Sequence, residues 1–140
     1  MTSPSRRRRH SIFQSQIQFP ISALITGDIA DETYQLWIAP AACEVVSFYA
    51  AVGATLTAGA GTGLAIVLQN GGTSGTATTA LGTVGSGTAD TGWVVDTVRQ
   101  GSVGAATLAA GEALTFKYDE TGTYNPAWVN VVANIRFGTS

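Results

Sequence analysis

The stretch WVNVVANIRF, residues 128–137, decides the fold class. Val129, Val131, Ala133, Ile135 and Phe137 fall at every second position, while Trp128, Asn130, Asn134 and Arg136 share the alternate positions with Val132. Side chains alternate across a strand, so five apolar residues at spacing two describe one buried strand face. Helical spacing would scatter the same residues around a cylinder.

Working outward, the pattern recurs. Residues 113–118 (ALTFKY) place Leu114, Phe116 and Tyr118 together, and 64–69 (LAIVLQ) form a nearly continuous apolar run. Residues 44–52 (EVVSFYAAV) put Val46, Phe48, Ala50 and Val52 on one face. Residues 33–38 (TYQLWI) turn Leu36 and Ile38 one way and Trp37 the other. Further strands are expected near the Thr-rich 76–84 and at WVVDTV, 93–98. Between them lie GAGTG (59–63), NGG (70–72), GSG (85–87) and ETGTYNP (120–126), where glycine and asparagine suit turns. The helix-prone GAATLAA (104–110) is too short and glycine-flanked to support a helix. About eight short antiparallel strands with frequent turns predict an all-β, single β-sandwich or jelly-roll-like domain.

The N-terminus differs. Residues 1–11 are polar and basic, with Arg6, Arg7, Arg8 and Arg9 in one run. Phe13, Ser15, Ile17, Phe19 and Ile21 then alternate with Gln14, Gln16 and Gln18, an extended segment with one apolar face. Pro20 has no amide to donate to a ladder and points to a sheet edge. The chain therefore divides into an extended basic arm, 1–22, and a β-sandwich, 23–140. An amphipathic terminal strand suits addition to a neighbouring subunit's sheet.

Only 11% of the 140 residues are charged, against about 25% in ordinary domains. Such a surface is expected to be covered by other subunits, the second reading being a small, secreted, Thr/Gly-rich adhesive domain. The net charge of −2 hides an asymmetry: beyond the arm, Arg99, Lys117 and Arg136 face nine acids, a net of −6. Arm and body are thus suited to different partners. Cys43 is the only cysteine, which excludes an intrachain disulfide framework. No apolar run reaches the roughly 18 residues of a membrane span, and no apolar core of a signal peptide follows the arginines.

Catalytic signatures are sparse. The single histidine, His10, lies in the arm beside four arginines, far from the rigid setting a general base needs. Cys43 is followed by Glu44, which opposes thiolate formation, so a buried inert thiol is expected. One His and one Cys give too few ligands for the usual zinc sites. Asp28, Asp31 and Glu32, and also Asp119 and Glu120, lack EF-hand spacing and read as loop acids. No enzyme activity and no cofactor are expected.

The segment IAPAACEVVSFYAAV (38–52) resembles small virion proteins of tailed bacteriophages, in which an I-A-P element leads into such a strand. TLAAGEALTFKYDETGT (107–123), followed by WVNVVANIRF (128–137), is similar to their C-terminal half. The resemblance is to head decoration, or cement, proteins and covers about two-thirds of the chain in strand and turn texture. It implies a jelly-roll-like domain, commonly trimeric, bound where capsomers meet and reinforcing the shell. The arginine run is not part of that pattern.

These readings converge on a capsid decoration protein: made in the host cytoplasm, placed on the outer capsid surface, and without membrane contact. Its partners would be the major capsid protein and itself, as a homotrimer. Arg6, Arg7, Arg8, Arg9, Phe13, Ile17 and Phe19 would bind the shell, with guanidinium–carboxylate pairs fixing the arm. Trp37 and Trp128, opposite the inferred core faces, would serve the subunit interface. The alternatives are a small coat protein contacting nucleic acid through the arginines, and a receptor- or glycan-binding domain of a phage fibre. A solvated tail is the plain reading of the arm.

Overall fold

The computed structural model describes residues 17–27, 29, 31–56, 63–86, 90, 92–104, 106–122 and 124–138. Arg6–Arg9 and Phe13 lie outside the described residues.

Ten strands occur among them: β1 (Gln18–Thr26), β2 (Thr33–Ile38), β3 (Cys43–Val52), β4 (Gly63–Asn70), β5 (Thr79–Ser86), β6 (Arg99–Gln100), β7 (Ser102–Val103), β8 (Thr107–Leu108), β9 (Ala113–Thr121) and β10 (Trp128–Phe137). They form two five-stranded antiparallel sheets. Sheet 1 runs β1-β10-β3-β6, with β8 also on β3, and sheet 2 runs β2-β9-β4-β5-β7. The pairings are nested: β1 with β10, β2 with β9, β3 with β6 and β8, β4 with β5. A long hairpin wrapped over itself in this way is a jelly roll.

The core lies between the sheets. Val129, Val131, Ala133 and Ile135 of β10 are fully buried, and Leu114, Phe116 and Tyr118 of β9 and Leu64, Ile66 and Leu68 of β4 meet them from sheet 2. Each fully buried aliphatic side chain contributes about 1.5–3 kcal/mol. Phe137, the fifth residue of the β10 stripe and the last of the strand, is 41% exposed.

Two bulges redirect side chains that strict alternation places otherwise. In the β3–β10 ladder the register shifts between Asn134 and Ile135, so Val46 is the extra residue. Cys43 and Val45 therefore enter the core with Phe48, Ala50 and Val52, while Val46 stays half-buried. In β2 the register shifts between Gln35 and Trp37. Tyr34 and Trp37 thus face Phe116 and Leu114 on the core side, and Ile38 is 56% exposed. The expectation that Ile38 faces inward and Trp37 outward is corrected by that single extra residue.

Two other expectations are corrected. Residues 93–98 form no strand: Trp93 is fully buried, its Nε1–H donating to Leu64 O at 2.8 Å, and Asp96 turns the chain at φ 61°. The Thr-rich strand begins at Thr79 rather than near 76. β1, meanwhile, pairs with β10 from Gln18–Arg136 to Thr26–Trp128, running straight through position 22. Its apolar face, Phe19, Ile21, Ala23 and Ile25, packs on this chain's own core. Pro20 accordingly occupies an edge strand.

Between β6 and β8 the chain crosses from sheet 1 to sheet 2 and back, closing one side of the sandwich. Gly101 makes the first corner, its N–H donating to Phe48 O at 2.7 Å. A Cβ there would stand 2.7 Å from Phe48 and 2.9 Å from Val84, so no larger residue fits without displacing the core.

Ile135→Asp places a carboxylate in the fully buried row of β10, at a cost on the order of several kcal/mol, a large part of a small domain's stability. Asn134→Asp alters the outward face, where the amide donates to Ser47 Oγ at 2.8 Å, and loses about 1 kcal/mol at most. Thermal melts should show the first variant unfolded and the second close to wild type; two wild-type midpoints would refute this register.

Candidate interaction surface

The outward side chains of sheet 1 follow from its register. Gln18, Pro20, Ser22, Leu24 and Thr26 come from β1, and Trp128, Asn130, Val132, Asn134 and Arg136 from β10. Glu44, Ser47, Tyr49 and Ala51 follow from β3, and Gln100 from β6. The only charged residues in this set are Arg136 and Glu44, and they neutralise each other: Arg136 Nε donates to Glu44 Oε1 at 2.8 Å, and Nη2 bonds the same oxygen. Leu24 is 62% exposed, and Val98, just before β6, is 64% exposed. The indole of Trp128 is half-buried across Gly53, where a Cβ would come within 2.7 Å of the ring. Trp128 thus lies on the outward face, as its position in the alternation predicts.

Trp37 does not. With Phe19 and Phe137 it forms a ring cluster where the edges of the two sheets approach each other. The Phe19–Trp37 centroids are 5.8 Å apart at 73°, and the Phe19–Phe137 centroids 5.0 Å apart at 35°. Edge-to-face and tilted contacts of this kind add about 0.5–1.5 kcal/mol beyond burial. Phe19 is therefore engaged within its own chain. Ile17, directly before β1, is 44% exposed.

The segment carrying Val94, Val95 and Val98 is pinned from below. Leu56 N–H donates to Trp93 O, Asp96 N–H to Val52 O, and Val95 N–H to Thr55 Oγ1. Asp90 accepts the N–H groups of Ser86 at 2.6 Å and Gly92 at 2.8 Å, and pairs with Arg99 at 3.2 Å. The Arg99 guanidinium in turn lies 4.7 Å from the Trp93 ring centroid. This network has no evident signal in the sequence, because Asp90, Trp93 and Arg99 belong to a segment that reads as loop and strand. It holds three exposed valines in a fixed shape.

The ionisable groups otherwise serve the fold. Burial pushes the Cys43 thiol up, which keeps it protonated and inert. Burial also raises the Tyr118 hydroxyl, with Glu120, whose carboxylate it bonds at 3.3 Å, adding to the shift. Glu120 is itself raised by burial and by Asp31 nearby. Tyr124 is pushed up to about 12 by burial and then by Glu120, and its hydroxyl donates to Ala54 O. Among the described residues no three His, Cys, Asp or Glu side chains come together as metal ligands, and no helix is long and apolar enough to cross a membrane.

No family model matches the chain, and no curated protein matches it. Among solved structures it is similar to a chain of "Structure of infectious bursal disease virus Gx strain", at 16% identity and a TM-score of 0.27. That alignment covers 90% of this chain and 38% of the other. A superposition this loose carries no functional weight.

Burial alone would raise the Asp90 carboxyl, but the amides of Gly92 and Ser86 and the Arg99 charge outweigh it and hold it below the ordinary range. A depressed folded-state value contributes stability above the unfolded value, about 3.9. That contribution is lost as pH falls through the folded value. Asp90→Asn should therefore lower the melting temperature at neutral pH and flatten its decline below about pH 4. A variant as acid-sensitive as wild type would show that Asp90 does not carry this dependence.

Proposed function

We propose that the protein is a structural subunit that decorates and stabilises a bacteriophage capsid. In this reading it sits between capsomers as a homotrimer and is tethered to the major capsid protein by its N-terminal segment. The observation that carries the reading is the outer face of sheet 1. On a body with a net charge of −6, this face holds no uncompensated charge and presents Leu24, Tyr49, Val132 and Trp128. Two acidic bodies repel each other except where such a face lets them approach. Interfaces are depleted of charge and enriched in Tyr and Trp at their centres.

The N-terminal segment supports the same role. Residues 1–16 join the sandwich at Ile17, ahead of an edge strand whose sequence, QFPISALIT, has no charged side chain to discourage pairing with another chain. The Arg6–Arg9 run ahead of it supplies attraction to an acidic shell. The resemblance of segments 38–52 and 107–137 to phage decoration proteins points to the head rather than to another assembly. Nothing in this role requires catalysis.

Leu24→Lys and Val98→Glu change exposed side chains, so both should melt near wild type while the trimer dissociates, as read by sedimentation equilibrium. A wild-type protein monomeric at high concentration and also on particles would overturn the assembly.

Removal of residues 2–16 should leave a folded sandwich, since β1 begins at Gln18, that binds stripped particles weakly. Replacing the four arginines by serine should weaken binding more in dilute salt than at 1 M, where the screening length falls to about 3 Å. Unchanged particle binding by the truncated chain would remove the tether, and loss of nucleic-acid packaging instead would favour a coat protein.

A further inference from the structure

The loop between β4 and β5, GGTSGTAT at 71–78, arches over the outer face of sheet 2 and is firmly held. Asn70 Oδ1 accepts the Gly72 N–H at 2.8 Å. Gly71 N–H donates to Ala113 O at 2.8 Å, Ala113 N–H to Gly72 O at 2.9 Å, and Ala77 N–H to Gly71 O at 2.9 Å. The hydroxyls of Ser74 and Thr76 bond each other at 2.8 Å. A loop this constrained could have packed flat on the sheet. Instead it leaves a cleft of about 380 Å³ above Thr33, Gln35 and Thr115, walled by the loop residues 75–78.

The chemistry of the lining is narrow. It has no charged side chain and no aromatic ring, only four threonine hydroxyls, the Gln35 amide, and the small residues Gly75 and Ala77. Hydroxyl and amide groups both donate and accept, and threonine methyls offer small apolar contacts between them. On the floor, Thr115 is buried and its Oγ1 donates to the backbone oxygen of Gln69 at 3.5 Å, which leaves Gln35, Thr33, Thr76 and Thr78 as the lining groups open to a ligand.

We propose that this cleft binds one ring of a neutral sugar. The ring hydroxyls bond Gln35, Thr76 and Thr78. Absence of a cationic group in the lining disfavours phosphates and acidic sugars, which call for charge-assisted bonds. The rigid loop means that little ordering cost falls on binding.

The test uses the full ¹⁵N-labelled chain titrated with glucose, galactose, mannose and N-acetylglucosamine, with glycerol, inorganic phosphate and glucuronate as comparisons. At least one sugar should shift the amides of Gly75–Thr78 and Gln35 at millimolar concentration. Gln35→Ala and Thr78→Val should each weaken it about fivefold, the factor for one neutral hydrogen bond. Thr83→Val, elsewhere on the same sheet, should change nothing. Overturning results are no shift at those amides with any sugar, equal response to glycerol (an adventitious additive only), equal response to phosphate or glucuronate, or unchanged affinity in Gln35→Ala.

Discussion

The buried face of β10 constrains everything around it. Val129, Val131, Ala133 and Ile135 are wholly removed from solvent, and β10 is paired on both sides, to β1 and to β3. A one-residue slip would turn this whole row to water and carry a neighbouring strand with it. In sheet 2, β9 occupies the corresponding place between β2 and β4. Its Leu114, Phe116 and Tyr118 close the other half of the core. The two central strands are consecutive in the chain, and Tyr124 in their connection bonds Ala54 O. The remaining strands wrap around this pair.

Long strands with one clean apolar face were legible from residues alone. β10 runs over the residues that its alternation marks, β2 matches TYQLWI residue for residue, and β4 and β9 extend their apolar runs by one to three residues. What defeated alternation was the inserted residue. A bulge adds one position without changing residue type, so Val46 and Ile38 kept apolar character while losing their place in the core, and Cys43, Val45 and Trp37 gained it. Residues 93–98 failed for another reason: the apolar letters of WVVDTV serve one buried indole and three exposed valines. Their shape is set by bonds to Val52, Thr55 and Leu64, all distant in sequence.

The interaction residues divide along the same line. Trp128 keeps the outward position that alternation predicts, because no bulge intervenes between it and the centre of β10. Trp37 was moved inward by its bulge and now seals the sandwich with Phe19 and Phe137. The apolar segment after the arginines was legible as an edge strand, but its partner was not. A period-2 pattern specifies a buried face without specifying whose sheet supplies the cover. In this fold the chain covers its own, from Gln18 onward, and Ile17 marks where that ends.

The two outer faces differ in charge and in what lies over them. Sheet 2 carries Lys117 and Asp119 outward, 3.8 Å apart, and its β4–β5 loop roofs the neighbouring row of Gln35, Thr115 and Gln69. On sheet 1, Leu24 is exposed and Tyr49, Trp128 and Val132 are half-buried. The outer faces of a two-layer sandwich point in opposite directions. Seating sheet 1 against other subunits therefore leaves the hydroxyl-lined cleft of sheet 2 facing away from the contact. One face can serve attachment while the other stays accessible, and neither depends on a conformational change in the core between them.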